Sequence, residues 1–158
     1  MISFKSVGIT GEQFRTQQVA VAPTPIPIGI ITPLRLGESD DGLLGMHYSV
    51  GETMKNNLRD LIMTNHGERL ALYDYGANLV PLLTEYELGK DAFDEAAMQR
   101  IMAAVGKYMP FVELESFDSQ RQDQTQDFGL GIVTITVDYS IPRAQIPTSR
   151  LQITFAVS

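Results

Sequence analysis

The sequence predicts an α+β fold in which helices precede a three-stranded antiparallel C-terminal β-meander, with an extended, proline-rich arm at the N-terminus. Four prolines lie within residues 23–33, where they interrupt an otherwise apolar segment. The middle of the chain repeats apolar residues at helical spacing, and the last third alternates apolar and polar residues. We therefore divide the chain into an arm, residues 1–50, and an α+β domain, residues 51–158.

The composition limits the kinds of partner and chemistry. The 158 residues include 12 Lys and Arg, 19 Asp and Glu and no cysteine, and the formal net charge is −7. Phosphate binding needs clustered basic residues, so we expect no nucleic-acid partner. Without cysteine there is no disulfide, zinc-thiolate site or cysteine nucleophile. The start of the chain lacks the apolar core of a signal peptide, and no run of eighteen apolar residues occurs, so we expect no membrane segment.

The arm is apolar around its prolines. Proline lacks a backbone donor and restricts φ, so neither a helix nor a central strand can run through residues 19–33. We expect this segment to lie in a groove, either on its own domain or on a neighbouring chain. The Gly- and Asp-rich residues 36–45 predict an exposed loop.

Two helices are predicted in the first half of the α+β domain. The first covers about 52–65, with one apolar face formed by Met54, Leu58, Leu61 and Ile62. Gly67, just beyond it, can adopt the left-handed conformation that ends a helix. A short helix at 77–86 carries Pro81 in its first turn, where no backbone hydrogen bond is lost. Its inward residues are Leu79, Leu82 and Leu83.

A third helix is predicted over about 92–108, with Asp91 or Asp94 as its N-cap and Pro110 at its end. Its apolar stripe consists of Phe93, Ala97, Ile101, Val105 and Met109, joined by Met98 and Met102. Methionine-rich stripes of this kind are typical of core packing rather than of a cofactor site.

Three strands follow, at about 111–118, 129–140 and 149–157. The polar segment 119–127 predicts a hairpin loop, and the link 141–149, with two prolines, is expected at the surface. The residues on one face of the last two strands are Gly131, Val133, Ile135, Val137 and Tyr139, with Leu151, Ile153, Phe155 and Val157. The outer edges of a meander offer unpaired backbone groups to an added strand, unless the arm covers them.

Motifs for catalysis or metal binding are lacking. There is no Gly-x-Ser-x-Gly sequence, no phosphate-binding loop before a helix and no metal-ligand spacing around His47 or His66. We predict no cofactor, no metal and no enzyme activity. Glu68 with Asp74, or Glu85 with Glu87, could form a glycosidase pair, but among 19 acidic residues such pairs arise by chance.

The segment between the first two helices is the most informative. Gly67 turns the chain, so that Glu68 and Arg69 project from the turn. Arg69 can bind a carboxylate or stack on Tyr73 or Tyr75, and Gly76 permits a second turn. Glu68 and Arg69 either pin this turn to the domain or contribute to a protein interface.

These residues resemble the signature of the baseplate-wedge, sheath-initiator family of contractile-tailed phages, which is related to baseplate subunits of type VI secretion. The resemblance covers about residues 30–158 and includes the arm segment 27–34. The residues that carry it are Leu61, Thr64, Gly67-Glu68-Arg69, Asp74-Tyr75-Gly76 and Leu79. The chain departs from the family at Tyr73, where proline is usual. It also has Met109-Pro110-Phe111 in place of the frequent Glu-Pro-Arg, so Phe111 offers an apolar contact where the family has arginine.

The resemblance implies a structural subunit of the virion's tail baseplate, made in the host cytoplasm and present in several copies, usually six. Its implied partners are the tail sheath protein, other baseplate wedge proteins, and the tail tube or hub, with sheath strands extending the C-terminal sheet. The expected interface residues are Gly67, Glu68, Arg69, Tyr75, Pro110, Phe111, Val133, Ile135, Val137, Tyr139, Leu151, Ile153 and Phe155. The alternatives are a lysozyme-like cell-wall glycosidase, a label that some family members carry, and a binding module that acts alone.

Overall fold

A computed structural model describes residues 26–37, 42–85, 90–123 and 131–157. Two short strands, β1 (Gly29–Ile30) and β2 (Met46–His47), precede three helices, α1 (Val50–Met63), α2 (Leu79–Glu85) and α3 (Lys90–Tyr108). The C-terminal strands are β3 (Glu113–Asp123), β4 (Gly131–Ile141) and β5 (Ile146–Val157). The predicted α+β fold with a C-terminal three-stranded antiparallel sheet is confirmed.

The described part of the predicted arm, residues 26–37 and 42–49, pairs with itself and packs against α1. β1 pairs antiparallel with β2, and Ile31 N–H donates to the Gly45 carbonyl at 2.9 Å. Arg59 of α1 donates to the carbonyl of Thr32, whose hydroxyl donates to Asp60 at 2.8 Å. Of the two placements expected for the arm, packing on its own domain therefore holds for this part. The segment 19–25 and residues 38–41 of the predicted loop lie outside the described residues.

The end of α1 differs from the prediction, because Gly67 does not stop the helix. The helix ends at Met63, and Thr64 has an extended backbone with φ −80° and ψ 134°. The carbonyl of Thr64 accepts the N–H of Asn78 at 3.3 Å, a bond that a continuing helix would not leave available. Gly67, three residues later, has φ +88° and turns the chain within the loop instead.

The predicted apolar stripe of α3 is buried, except for its two added methionines. The side chains of Met98 and Met102 are 41% and 52% exposed, so their predicted place in the core is wrong. Each follows a buried stripe residue directly in sequence, and one residue along a helix rotates a side chain by about 100° away from the stripe. Neither predicted N-cap is at the helix start, since α3 begins at Lys90.

The strands β3 and β5 are longer than predicted. Residues 119–123, predicted as part of a loop, continue β3 and pair with residues 131–135 of β4. Their backbone groups form ladder hydrogen bonds whatever the polarity of their side chains, which is why alternation alone did not reveal them. The strand β5 begins at Ile146 and includes Pro147, which an outer strand tolerates.

The core lies between one face of the sheet and the helices. The strand β4 pairs with β3 on one side and with β5 on the other, so that Val137 lies between Phe117 and Leu151. Ser119 is a buried polar residue of β3, and its hydroxyl donates to the carboxylate of Asp94 on α3. This bond gives Asp94 a role in joining α3 to β3, which the sequence did not indicate.

Candidate assembly interface

In the loop between α1 and α2, the backbone at position 76 adopts a conformation that only glycine fits. Gly76 has φ +109°, and a Cβ atom added there would lie 2.1 Å from the carbonyl oxygen of Thr64. Any other residue would therefore both adopt an unfavourable backbone conformation and collide with the main chain. The prediction that Gly76 turns the chain before α2 is confirmed.

Glu68 and Gly67 hold the first turn of this loop. The carboxylate of Glu68 accepts hydrogen bonds from the Asn65 amide at 3.0 Å and from the Asn65 backbone N–H at 2.7 Å. These two bonds hold the pKa of Glu68 below its ordinary value. The N–H of Gly67 donates to the Tyr73 carbonyl at 2.7 Å, so the loop closes on itself.

Arg69 stacks on Tyr75, one of its two predicted aromatic partners. The guanidinium carbon lies 4.1 Å from the centroid of the Tyr75 ring. The Tyr75 ring in turn meets Tyr108 of α3 at 4.9 Å between centroids, with the planes at 61°. This row joins the loop to the end of α3 through a cation–π and an edge-to-face contact.

A groove of about 380 Å³ runs beside this row. Two predicted interface residues of the loop, Arg69 and Tyr75, border it together with Phe111 from beyond the end of α3. Pro110 lies exposed next to Phe111. Phe111 packs partly against the core, so it supplies an apolar wall of the groove. The groove is lined by Met54, Asn57, Arg69, Leu72, Tyr75, Tyr108, Met109 and Phe111.

Asp74 is held by α3 on the same side of the loop. It accepts hydrogen bonds from Lys107 and from the Tyr108 hydroxyl, the second at 2.8 Å. Lys107 first, and Tyr108 second, lower the pKa of Asp74 to about 2. No sequence pattern indicates this cluster, because the lysine and tyrosine lie more than thirty residues from Asp74.

The carboxylates of Glu68 and Asp74 do not suit glycosidase chemistry. A general acid needs a raised pKa, whereas the pKa values of Glu68 and Asp74 are both lowered. Glu87 lies outside the described residues, as does the side chain of Glu85.

The tip of the loop exposes apolar side chains on an ordered backbone. Leu70 is 95% exposed and Tyr73 is 76% exposed. Between them, Ala71 has φ +65°, a conformation that costs a non-glycine residue about 1 kcal/mol or more. Sequence reasoning missed Leu70, although a leucine directly after Gly-Glu-Arg is a signal that could have identified it.

The seven predicted interface residues of the sheet lie in the chain's own core. Their side chains are buried against the helices, and burial raises the pKa of Tyr139. A partner cannot reach these side chains in this conformation, so a role for their strands in binding would rest on the backbone. The seven are Val133, Ile135, Val137, Tyr139, Leu151, Ile153 and Phe155.

The sheet has two outer strands, β3 and β5. Within residues 26–37, 42–85, 90–123 and 131–157, no further strand pairs with either of them. The hairpin of β1 and β2 forms a separate sheet, so this part of the arm does not cover the edges. As far as the described residues show, both edges therefore keep backbone donors and acceptors that an added strand could pair with.

The histidines have separate surroundings. The Nε2 atom of His47 lies 2.6 Å from the amide of Asn56, and its Nδ1 atom lies 3.5 Å from Glu52. His66 is exposed in the loop after α1. In the part of the chain that the structure describes, no three His, Asp or Glu residues converge as metal ligands would. None of the described helices has the length and apolar character needed to cross a bilayer.

Neither a protein-family profile nor a curated protein sequence matches this chain. The fold is similar to that of a chain in the cryo-EM structure of the anti-feeding prophage baseplate, with a TM-score of 0.55 and 22% identity over 75% of this chain and 86% of that one. A crystal structure from Geobacter sulfurreducens, described as a candidate tail lysozyme, gives a TM-score of 0.48 and 15% identity over 69% of this chain and 90% of that one. That score is too low to establish a common fold. The chain therefore shares its fold with a chain of the anti-feeding prophage baseplate structure.

Proposed function

We propose that this chain is a structural, non-enzymatic subunit of a contractile-tail baseplate whose C-terminal sheet is extended by strands of the first ring of sheath protein. The observation that carries the proposal is a meander whose outer edges, on β3 and β5, have no strand partner among the described residues, in a fold shared with a chain of a baseplate structure. The lowered pKa values of Glu68 and Asp74 support a non-enzymatic role.

Strand addition has adequate energy for this role. Each new backbone hydrogen bond contributes about 1 kcal/mol net, so five or six of them reach several kcal/mol per added strand. Copies arranged around a tail tube would bind a ring of sheath subunits together, and this multivalency multiplies the affinity of a single contact. The subunit thereby provides a template on which the first sheath ring assembles.

The loop between α1 and α2 is proposed as the contact with a second baseplate wedge protein. The stacked Arg69 and Tyr75 border a groove, and Leu70 and Tyr73 project from the loop tip. The loop is held in place by its own hydrogen bonds, so little conformational entropy is lost when it binds. This contact would anchor the subunit in the wedge, while the sheet stays available to the sheath.

Electron microscopy of particles assembled without this protein tests the template role. We expect baseplates and tubes without a sheath, because the first ring would lack the strands on which it assembles. Supplying the protein in trans should restore sheathed tails. Normal sheathed tails in its absence would contradict the proposal.

A further inference from the structure

The helices cover the two outer strands of the sheet unequally. On β5, the inward side chains of Leu151, Ile153 and Phe155 are buried. On β3, the inward side chains of Leu114 and Phe117 are only partly buried. The helical layer therefore leaves apolar surface uncovered along the first half of β3, whereas on β5 a partly buried apolar side chain occurs at Ile146, the first residue of the strand.

Two exposed methionines enlarge this surface. Met98 and Met102 lie one turn apart on α3, and Met98 lines a shallow apolar hollow together with Leu114 and Phe117. We call these four residues the β3 patch. Within the described residues the outer edge of β3 has no strand partner, and apolar surface beside such an edge is suited to cover by an added strand of another chain.

The opposite face of β3 carries negative charge. The side chains of Glu113, Glu115 and Asp118 are exposed there. On the same face of β5, Arg150 is basic and is bonded to Asp138 of β4, while Gln152 and Thr154 are uncharged. The two outer strands thus differ in charge as well as in apolar cover.

We infer that β3, rather than β5, is the edge that receives the added strand, and that this strand has apolar inward residues and basic outward residues. The inference rests on the proposed function and specifies its partner. Side chains alternate between the two faces of a strand, so one extended segment can cover the β3 patch and place Lys or Arg beside Glu113 and Glu115. A docked helix would cover the methionines but would leave the backbone groups of β3 unpaired.

Hydrogen exchange measured on the full chain, alone and in complex with its sheath protein, tests which edge is used. We expect the complex to slow exchange of amides in residues 113–120 and to leave those in 146–157 unchanged. Slowed exchange in 146–157 alone would contradict the choice of β3 and leave the proposed function standing. If the complex forms and exchange is unchanged along both edges, the choice of β3 and the proposed function are both contradicted.

Charge placed in the β3 patch tests its apolar contact. The double variant Met98→Lys with Met102→Lys should bind the sheath protein about tenfold more weakly or worse, because two buried apolar contacts are replaced by desolvated ammonium groups. Met63→Lys is the matched control, since Met63 is 45% exposed at the end of α1 and lies outside the patch. We expect its affinity to stay within about twofold of the parent. Equal affinities for the double variant and the control would overturn the role of the patch.

Charge reversal tests the basic outward face. Glu113→Lys with Glu115→Lys should weaken binding several-fold at low salt, and the difference from the parent should shrink as salt rises. Glu52→Lys, at an exposed position on α1, is the control and should have little effect. Binding that is unchanged by the β3 reversal would contradict a basic partner strand.

Discussion

Arg150 of β5 donates two hydrogen bonds to Asp138 of β4, from Nε at 2.7 Å and from Nη2 at 3.0 Å. Ser116 of β3 donates to the same carboxylate at 2.8 Å. A single aspartate on the central strand therefore joins all three strands on the face opposite the core. Arg150 first, and Ser116 second, lower the pKa of Asp138 to about 2.

These bonds predict acid sensitivity. Because the pKa of Asp138 is lower in the folded chain than in the unfolded one, its contribution to stability is present above about pH 4 and is lost as the pH falls toward 2. Asp74 should behave in the same way, since its pKa is also about 2. We expect the free energy of unfolding, measured by denaturant titration, to fall less between pH 4 and pH 2 in Asp138→Asn than in the parent. An identical fall in both proteins would contradict this role.

The backbone at Gly76 predicts a large loss of stability on substitution. Gly76→Ala should lower the free energy of unfolding by about 3 kcal/mol or more, because the added Cβ collides with the Thr64 carbonyl at a strained φ. Gly106→Ala in α3 is the matched control, since an added Cβ there meets no atom within 4 Å. That control should be neutral or stabilising by about 0.5–1 kcal/mol. Equal effects on thermal unfolding would contradict the close approach.

The stack of Arg69 on Tyr75 predicts that substituting Arg69 impairs assembly much more than it lowers the free energy of unfolding. Arg69→Ala should lower the free energy of unfolding by only about 0.5–1 kcal/mol, since cation–π contacts at exposed sites are weak. It should nevertheless prevent incorporation into baseplates, measured by sedimentation of assembled particles. Arg143→Ala, in the exposed turn before β5, is the control and should incorporate normally. Normal incorporation of Arg69→Ala would contradict the proposed wedge contact.

The exposure of Leu70 predicts that its substitution also impairs assembly while the free energy of unfolding stays nearly unchanged. Leu70→Ser should leave the free energy of unfolding within about 0.5 kcal/mol of the parent, because the side chain packs on almost nothing in the isolated chain. Its incorporation into baseplates should decrease. Leu79→Ser, at a buried position, should instead unfold the domain, which separates loss of contact from loss of fold. A Leu70→Ser protein that assembles like the parent would show that the loop tip makes no contact.

The carboxylates predict no hydrolysis of peptidoglycan. Purified protein should not clear a suspension of cell walls in a turbidity assay, because neither Glu68 nor Asp74 has the raised pKa of a general acid. Glu68→Gln should give the same flat trace as the parent. Clearing by the parent that is lost in Glu68→Gln would establish the glycosidase alternative.

By itself, the sequence determined the order of the helices and strands and the faces that they bury. The stripe of α3 and the alternation in β4 and β5 follow from the 3.6- and 2-residue periods, which local spacing reports directly. The turn at Gly76 was also predicted, as was Tyr75 as one of two candidate stacking partners of Arg69, because glycine conformation and side-chain chemistry act locally.

Tertiary structure alone decided which distant groups meet. Three pairs of residues meet although they lie far apart in the chain, and no local sequence pattern indicates these contacts. The pairs are Asp94 with Ser119, Asp74 with Lys107, and Phe111 with Arg69. The polar end of β3 became a strand because β4 supplied its hydrogen bonds, and Met98 was left exposed because α3 does not fully cover β3. Spacing along the chain specifies the faces of each element, whereas contacts between elements depend on how those faces pack.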